Sequence, residues 1–444
     1  MQNKSVWSYF CIFAIDNELI YSMTAYEIQA PKTLHADITL PASKSISNRA
    51  LIIHTLAGGQ VLPSNLSDCD DTRVVLQALK NRPSVIDIGA AGTAMRFLTA
   101  YLAATNGEHT LTGSDRMKQR PIGILVETLR TLGADITYLG NEGFPPLLIK
   151  GRKLHGGSIE IPGNISSQFI SALLMMGPIM SEGLELRLTG DIVSRPYIDL
   201  TLCTMKQFGA SADWADSRTI RIDATPYEAR PYLIENDWTA ASYWYEIVAL
   251  CGVGSASVSL RGLMDGSRQG DAVVKYIFSL LGVKTTFDST AAGETTTVRL
   301  TRHEGSVERL DYDFINCPDL AQTVAVTCCA MNVPFHFTGL ASLKIKETDR
   351  LLALQQELKK FGYVLQVKNN SELIWSGETC NESPLAVDTY DDHRMAMAFA
   401  PLSIKTGQVK INHPEVVTKS YTRFWDDLAT AGFDIACIGN SSPE

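Results

Sequence analysis

A three-part pattern recurs along the chain: a helical segment, then a glycine, then a short strand of alternating character. The glycines are Gly133, Gly209, Gly282, Gly362 and Gly432, and neighbouring copies lie 70 to 80 residues apart. Glycine readily takes the left-handed conformation in which a helix ends and a strand can begin. One copy is common in any α/β protein, but five at near-constant spacing predict a repeated α+β unit. About six such units would fill the chain.

The composition is that of a globular protein with a large core, since 45% of the residues are hydrophobic and 20% are charged. The net charge of −9 argues against a broad nucleic-acid-binding surface, although it allows a local basic pocket. No apolar run is as long as the roughly 18 residues that a membrane-spanning helix needs. Nine cysteines without a C-x-x-C pair are typical of reduced thiols in a cytoplasmic protein.

Residues 1–22 differ from the rest of the chain. The apolar stretch VWSYFCIFAI is followed by Asp16 and Glu18 without a small-residue cleavage site, which disfavours a signal peptide. A second methionine, Met23, directly precedes TAYEIQAP, which is typical of the start of a strand. We therefore expect residues 1–22 to be a disordered extension or the product of a start codon assigned too early. The mass of the natively expressed protein would distinguish the two.

Cations and hydroxyls crowd the start of a predicted helix in LPASKSISNRALIIHTLAGG, residues 40–59. Lys44, Ser45 and Arg49 lie there, and a pair of glycines ends the apolar run. The helix dipole favours negative charge at this end, so the cations are better explained by a bound anion that also meets the free N–H groups. A serine-capped surface helix with solvated cations explains this stretch equally well.

Three further loop-to-helix junctions carry glycine, basic or hydroxyl residues. Gly92 in GAAGTAMRFL would let a ligand approach the backbone, although no Walker or G-x-G-x-x-G pattern is present. Arg120 lies in DRMKQRPIG, which in isolation is typical of a solvated basic loop. Ser166, Ser167 and Gln168 precede an apolar helix, where a polyhydroxylated ligand and simple N-capping are equally good explanations.

The segment KIKETDRLLALQQELKKFG, residues 344–362, is predicted to be helical. Lys346 and Arg350 are four residues apart and would share one face of that helix. Like charges at this spacing repel each other unless an anion lies between them. Glu347 lies beside both, which is a favourable setting for a general acid or base. A salt-bridged helix start is the alternative.

Two C-terminal motifs place ionisable groups in front of helices. In TYDDHRMAMAF, Arg394 follows His393, and anion binding is favoured over metal ligation because no second histidine or carboxylate follows on the same face. Asp319 follows Pro318 at the opening of another helix. Seven cations at or near such junctions predict a divided site for two small polyanions. They are Lys44, Arg49, Arg120, Lys346, Arg350, Arg394 and Lys419.

Seven motifs together resemble, in identity and order, those of the 5-enolpyruvylshikimate-3-phosphate synthase family. They are PASKSISNRA, AGTAMR, RMKQRPIG, SSQFISALL, SRPYIDLTL, KETDRL and TYDDHRMAM, and the likeness covers residues 26–434. The resemblance implies an α/β fold of two similar domains, each of three α+β units with inner helices and outer sheets. It implies a discontinuous first domain of residues 23–42 and 235–444 and a second domain of residues 43–234. The active site would lie in the cleft between them.

The resemblance also implies an enzyme of aromatic amino acid (chorismate) biosynthesis. Such enzymes transfer the enolpyruvyl group of phosphoenolpyruvate to the 5-hydroxyl of shikimate 3-phosphate, through a tetrahedral intermediate. Lys44, Asp319 and Glu347 would be catalytic, with Asp319 taking the hydroxyl proton and Glu347 moving the methylene proton. The residues implied for shikimate 3-phosphate are Lys44, Ser45, Arg49, Ser166, Ser167, Gln168, Ser194, Tyr197, Asp319, Ser342 and Lys346. Those implied for phosphoenolpyruvate are Lys44, Gly92, Arg120, Gln168, Arg350, Arg394 and Lys419.

No metal, organic cofactor, nucleic acid or membrane is implied as a partner, and the family's habit is that of a cytoplasmic monomer. The sequence departs from the common family pattern at Ala42, Ala90, Phe97 and Ser342, without losing a charged group. Because Gly92 is retained, the resemblance implies that glyphosate competes with phosphoenolpyruvate. Phe97, in place of a frequent proline, is the departure that bears on this inhibitor.

Two alternative functions compete with this interpretation. The related enolpyruvyl transferase that acts on UDP-N-acetylglucosamine usually carries a reactive Cys or Asp before its Arg-Pro dipeptide. This chain has Asp115 but no cysteine there, and its KETDR motif is foreign to that family. A non-catalytic anion-binding protein is the second alternative, and the retention of both Asp319 and Glu347 disfavours it.

Overall fold

The computed structural model describes residues 25–291, 293–382 and 386–438, so the prediction for residues 1–22 lies outside the described residues. Their strands are β1 (Ala25–Gln29), β2 (Leu34–Thr39), β3 (Val85–Asp87), β4 (Gly107–Thr112), β5 (Asp135–Tyr138), β6 (Leu147–Gly151), β7 (Gly157–Pro162), β8 (Leu184–Thr189), β9 (Ala212–Trp214), β10 (Thr219–Ile222), β11 (Ala256–Leu263), β12 (Val283–Phe287), β13 (Thr296–Arg302), β14 (Leu310–Asp313), β15 (Phe335–Thr338), β16 (Gln366–Lys368), β17 (Glu372–Trp375), β18 (Val409–Asn412) and β19 (Asp434–Ile438).

The α-helices of the same residues are α1 (Lys44–Leu56), α2 (Asp70–Asn81), α3 (Gly92–Ala104), α4 (Gly123–Thr131), α5 (Ser167–Met176), α6 (Arg195–Gln207), α7 (Trp238–Leu250), α8 (Val274–Leu280), α9 (Ala321–Ala330), α10 (Arg350–Lys360), α11 (His393–Phe399), α12 (Ser403–Thr406) and α13 (Phe424–Thr430). Short 3-10 turns are Met117–Gln119, Gly177–Ile179, Gly270–Val273, Pro318–Leu320, Ala341–Ile345, Ala400–Leu402 and Pro414–Lys419.

One connectivity repeats through the sheets. Two parallel strands flank an inner helix, and a hairpin then adds two antiparallel strands beside the second of them. Four sheets follow it in full, in the orders β3-β4-β6-β5, β7-β8-β10-β9, β2-β11-β13-β12 and β14-β15-β17-β16. The fifth sheet, β18-β1-β19, joins the first described strand to the last two, and a parallel bridge between Val387 and Ile411 completes its pattern.

The sixth unit is smaller than the others. It consists of α1, α2 and a parallel bridge between Ser64 and Leu233. α2 ends at Asn81 and β3 already begins at Val85, so this unit has no room for a hairpin after its second helix. The fold is therefore α/β, with two similar domains of three units each. The sixth unit is reduced to its two helices and a bridge.

The five repeated glycines each follow a helix and precede a strand, with φ between 85° and 102°. The prediction that these glycines end helices in the left-handed conformation is confirmed. The sixth unit has Arg82 at the equivalent end of α2, also left-handed at φ 42°. A sequence pattern that requires glycine at the helix end therefore does not find this unit.

The inner helices are apolar on all sides, which is the pattern of a helix enclosed by protein. α9 is buried along its whole length, and α3 is buried from Gly92 to Ala103. Strands such as β8 and β11 alternate between buried and more exposed residues, so each sheet covers the helices with one face and meets solvent with the other. None of the described helices is long and apolar enough to cross a membrane.

Two large hydrophobic cores form separately. The core of the first domain draws on residues 28–40 and 238–433, and the core of the second domain draws on residues 51–227. The chain passes from one core to the other twice. The two passages run side by side, since Ala42 bridges antiparallel to Asn236.

Candidate active site

A cavity of about 550 Å³ lies between the two domains. The second domain lines it with the starts of α1, α3, α5 and α6, and the first domain with the segments before α9, α10 and α11. All the residues predicted for the site except one line this cavity. They are Lys44, Ser45, Arg49, Gly92, Arg120, Ser166, Ser167, Gln168, Ser194, Tyr197, Asp319, Ser342, Lys346, Glu347, Arg350 and Arg394.

Lys419 is the exception. Its side-chain Nζ donates to the carbonyl oxygen of Asp391 at 2.5 Å, whereas its own carbonyl oxygen accepts from Lys44 Nζ at 3.5 Å. The next two residues, Ser420 and Tyr421, do line the cavity. Lys419 would therefore have to turn its side chain inward to meet a ligand.

Arg350 is the centre of the charged network on the first-domain side, and its side chain is almost fully buried. Its Nη1 donates to Asp319 at 2.9 Å, its Nη2 to Glu347 at 2.9 Å and its Nε to Asp392 at 2.6 Å. Arg394 Nη2 approaches the other oxygen of Asp319 at 2.9 Å. Each carboxylate is thus fixed in orientation by at least one guanidinium.

The prediction that Lys346 and Arg350 share a helix face is wrong. α10 begins only at Arg350, because the side chain of Asp349 caps it by accepting from Leu352 N at 3.2 Å. Lys346 lies before the cap in an extended conformation. Both cations nevertheless reach the same carboxylate, since Lys346 Nζ lies 3.6 Å from Asp319 Oδ1.

The two candidate catalytic carboxylates are held ionised. Burial by itself would raise the pKa of Asp319, but Arg394, Lys346 and Arg350 outweigh it and hold that pKa far below the usual range. Burial likewise opposes ionisation of Glu347, whose pKa is nevertheless lowered well below its usual value, chiefly by Arg350 and Arg120. A bound anion would share these cations, so it would raise the pKa of both groups and make them stronger bases.

Lys44 opens α1 and reaches into the cavity from the second domain. Its Nζ lies 3.8 Å from Asp71 Oδ2, and its backbone N–H donates to Asp237 Oδ2 at 3.2 Å. Burial alone would lower the pKa of Lys44, but the charge of Asp71 raises it above its usual value. Lys44 is therefore a cation whose charge is compensated by one partly separated carboxylate.

The other cations of the second-domain wall form no direct ion pair with a carboxylate among the described residues, although the charge of Glu347 acts on Arg96 and Arg120 from farther away. Arg49, Arg96 and Arg120 are each buried to more than nine-tenths, and the Nε atoms of Arg96 and Arg120 have no hydrogen-bond acceptor there. Burial lowers the pKa of Arg49 to about 10 and that of Arg96 to about 9. Buried cations without a carboxylate in direct contact are costly unless an anion joins them.

Neutral groups complete this wall. Ser166 Oγ accepts from Gln168 N at 3.4 Å and so caps α5, while Gln168 Nε2 donates to Thr93 Oγ1 at 3.1 Å. Gly92 lies against Arg120, because a Cβ at Gly92 would stand 2.7 Å from Arg120 Nη1. The glycine therefore lets the guanidinium occupy the start of α3.

The sequence motifs missed several residues of the cavity wall, among them Asp71, Asp237 and Tyr243. The sequence motifs assign His393 no role other than that of a disfavoured metal ligand. It is buried, neither ring nitrogen has a hydrogen-bond partner among the described residues, and burial with nearby Lys44 lowers its pKa well below the usual value. A neutral imidazole thus faces the cavity. No group of three or more potential metal ligands occurs in the described ranges.

Direct contacts join the domains around the cavity. Arg116 of the second domain donates to the carbonyl oxygens of Lys346 at 3.3 Å and Glu347 at 3.2 Å. Thr418 Oγ1 of the first domain donates to Asp70 at 2.6 Å. The cleft is therefore closed, and the cations and carboxylates of both walls face one enclosed space.

Comparison with known proteins gives this arrangement a family. The model of the family described as EPSP synthase (3-phosphoshikimate 1-carboxyvinyltransferase) matches residues 28–83 and 80–428. The chain belongs to the EPSP synthase family. A 3-phosphoshikimate 1-carboxyvinyltransferase of Bacteroides fragilis is 57% identical over 411 residues, covering 92% of this chain and 98% of that protein.

More distant EPSP synthases agree with the same assignment. The enzyme of that name from Photobacterium profundum is 37% identical, covering 92% of this chain and 99% of its own length. A solved EPSP synthase structure from Acinetobacter baumannii superposes with a TM-score of 0.73 at 20% identity, covering 93% of this chain and all of that one. At 20% identity, the Acinetobacter baumannii structure supports the fold alone. The family assignment rests on the two sequence relatives and on the family model.

Proposed function

We propose that this chain transfers the enolpyruvyl group of phosphoenolpyruvate to the 5-hydroxyl of shikimate 3-phosphate and releases phosphate. The observation that carries the proposal is the cavity between the domains. It gathers Asp319 and Glu347 with Lys44, Arg350 and Arg394 in one closed space. Two small polyanions need such a concentration of cations, and proton transfer to and from them needs oriented carboxylates.

The two substrates would divide the cavity between them. Shikimate 3-phosphate would take Lys44, Ser45, Arg49, Ser166, Ser167, Gln168, Ser194, Tyr197, Asp319, Ser342 and Lys346. Phosphoenolpyruvate would take Lys44, Gly92, Arg120, Gln168, Arg350 and Arg394, with Lys419 at the edge. The position of Lys44 beside both walls suits a cation shared between two anions, and the lone hydroxyls of the serines suit a polyhydroxylated ring.

The chemistry is an addition followed by an elimination. The bound anions raise the pKa of Glu347, so that it carries a proton in the complex with both substrates. Asp319 then accepts the proton of the 5-hydroxyl as the hydroxyl oxygen attacks C2 of phosphoenolpyruvate, while Glu347 donates its proton to the methylene carbon C3. The tetrahedral intermediate then loses a C3 proton to Glu347 and the C2–O bond to phosphate breaks, which restores the double bond. The proton held by Asp319 passes to the departing phosphate, so both carboxyl groups return to their starting states. Arg350 and Arg394 would stabilise the charge that grows on the carboxylate and the leaving phosphate.

The test is the release of phosphate from phosphoenolpyruvate, with and without shikimate 3-phosphate. We expect release only with both substrates, and a loss of about 100-fold or more in Glu347→Gln. Glu185→Gln is the matched control, because Glu185 forms an exposed ion pair with Arg221 far from the cavity. Release that survives in Glu347→Gln would move the proton chemistry to Lys44 or Asp319. No release from a folded protein would redirect the search to UDP-N-acetylglucosamine as acceptor.

We further propose a first domain of residues 23–42 and 235–444 and a second domain of residues 43–234, working as a monomer in the cytoplasm. The side-by-side passages at Ala42 and Asn236 support the boundaries. The eight cysteines of the described residues are all free thiols, in keeping with a reducing compartment. Light scattering after size-exclusion chromatography tests the monomer, and limited proteolysis at the two passages tests the boundaries.

A further inference from the structure

The segment Ser267–Asp271 of the first domain lies where the two chain passages meet. The hydroxyl of Ser267 donates to Glu235 Oε1 at 2.6 Å on one passage. Gln269 Oε1 accepts from the hydroxyl of Ser43, on the other passage, at 3.0 Å. A single short segment is therefore hydrogen-bonded to both connections between the domains. A change in the relative position of the domains would alter these hydrogen bonds.

Asp271 extends these bonds across the cleft. It is buried and does not line the cavity. One of its oxygens accepts from the hydroxyl of Tyr197 at 3.2 Å, and the other accepts from the hydroxyl of Thr239. Tyr197 belongs to α6 of the second domain and lines the cavity. The bond between Asp271 and Tyr197 thus joins the two domains at the cavity wall.

Close packing beside Asp271 brings the start of α6 into place. A Cβ on Gly270 would lie 3.0 Å from Pro196 Cβ and 3.1 Å from the carbonyl oxygen of Asn316, so a side chain at this position would push α6 away. The backbone N–H of Ser194 also donates to the carbonyl oxygen of Ile315 at 2.9 Å. The start of α6 is docked on the first domain at three adjacent points.

We infer that Asp271 is a positioning residue that holds Tyr197 over the shikimate 3-phosphate half of the cavity when the cleft is closed. The single hydroxyl hydrogen of Tyr197 goes to Asp271, so Tyr197 presents its ring and its oxygen lone pairs to the cavity. The carbonyl oxygen of Tyr197 accepts from Arg49 Nη2 at 3.4 Å, which ties the same docking to an anion-binding cation. The inference rests on the proposed function, since it assigns the substrate that Tyr197 meets.

The test is a double-mutant cycle of Asp271→Asn and Tyr197→Phe, with steady-state constants for both substrates. Measured at about pH 8, where Asp271 is ionised, each single variant should raise the KM for shikimate 3-phosphate about tenfold, the usual cost of one hydrogen bond to a charged group. The kcat should stay within about twofold and the KM for phosphoenolpyruvate should not change, because Tyr197 contacts only the shikimate 3-phosphate half of the cavity. The double variant should be no worse than the more strongly affected single variant, because both substitutions act on the same hydrogen bond. Asparagine weakens it by removing the charge of the acceptor, and phenylalanine removes its donor.

Gly270→Ala is an independent variant that displaces α6 without touching either bonded group, and its effect should also be non-additive with Tyr197→Phe. It replaces Asp271→Asn in the cycle if that variant does not fold. Tyr227→Phe is the control, because Tyr227 donates to the carbonyl of Met175 in the second core, away from the cavity. Its effects should simply add to those of Asp271→Asn.

The outcomes separate the two proposals. Wild-type protein that releases no phosphate from the two substrates contradicts the proposed function. Active wild-type protein with additive cycles, or with losses in kcat alone, contradicts the positioning role of Asp271 and leaves the proposed function standing.

Discussion

Arg49 is buried, yet none of the groups that accept its hydrogen bonds carries a charge. Its Nε donates to Thr201 Oγ1 at 2.7 Å and its Nη2 to Ser171 Oγ at 3.0 Å. The centre of the Phe97 ring lies 5.3 Å from the guanidinium carbon. Hydroxyls and a ring fix this guanidinium without neutralising it, so its charge remains available to a phosphate. Phe97 therefore acts on the proposed anion site through Arg49.

Gly92→Ala should weaken the binding of phosphoenolpyruvate without unfolding the protein. The new Cβ would lie 2.7 Å from Arg120 Nη1, and the end of that long side chain can move aside. We expect the KM for phosphoenolpyruvate to rise about tenfold as the guanidinium leaves its place, with a similar loss of glyphosate inhibition. Gly252→Ala, where the nearest atom is 3.4 Å away and outside the cavity, is the control. An unchanged KM would show that Arg120 does not bind this substrate.

Asp271 should also make the stability of the protein depend on pH. Burial, and then the charge of Asp319, raise the pKa of Asp271 to about 7 from a usual value of 3.8; Asp237 adds to the rise, and Thr239 and Arg394 oppose it. Because the folded state binds this proton more tightly, the contribution is complete below pH 3.8 and is lost as the pH rises through about 7.

The comparison with Asp271→Asn isolates this titration, since asparagine does not ionise. The free energy of unfolding of the variant, minus that of wild type, should increase between pH 5 and about 7.5 and be flat above pH 8. Urea unfolding across this range measures it. A difference that is constant from pH 5 upward would mean that Asp271 is already ionised there.

At the scale of elements, local rules predicted the helix ends that a glycine marks and failed where a cap or an unusual residue decides. Gly282 and its four counterparts were found because left-handed glycines leave a mark in the sequence. Arg82 ends α2 in the same region without that mark. The common helix expected for Lys346 and Arg350 was wrong because the side chain of Asp349 caps α10, so that the helix begins only at Arg350.

Gly282→Ala should destabilise the protein more than Gly58→Ala, although both glycines follow a helix and have a positive φ, 85° and 66°. A Cβ on Gly282 would overlap the guanidinium of Arg302, whose Nη1 donates to the carbonyl of Leu281 at 2.5 Å, whereas Gly58 has open space around it. The left-handed conformation costs alanine about 1–2 kcal/mol in both, and the lost hydrogen bond adds about 1 kcal/mol at Gly282 alone. Urea unfolding tests this, and equal losses would contradict it.

At the scale of the whole molecule, the active site exists only where the two domains meet. The motifs predicted that cations from distant parts of the chain converge, since anions are their common need. They did not predict that Asp71 lines the cavity. Acidic residues are favoured in the first turn of any helix, and α2 has two of them, Asp70 and Asp71. Nor did they predict that His393 faces the cavity as a neutral imidazole, because that state depends on its burial and on Lys44 from the other domain. Such residues acquire their roles through tertiary contacts that no local pattern records.

Closure of the cleft should depend on Arg116, which does not line the cavity but donates to two carbonyl oxygens across it. Arg116→Ala removes both bonds and leaves each hydrophobic core intact. We expect the KM of both substrates to rise about three- to tenfold, since the closed state that binds them is less populated, with little change in melting temperature.

The control for this variant is Arg130→Ala, which loses an ion pair with Glu127 inside the second domain. Small-angle scattering should give a larger radius of gyration for Arg116→Ala than for the control, and saturating substrates should abolish the difference. If Arg116→Ala raised the KM without any change in dimensions, the two bonds would orient Lys346 and Glu347 locally rather than hold the domains together. Equal dimensions with equal KM values would show that the remaining contacts, such as that of Thr418 with Asp70, suffice for closure.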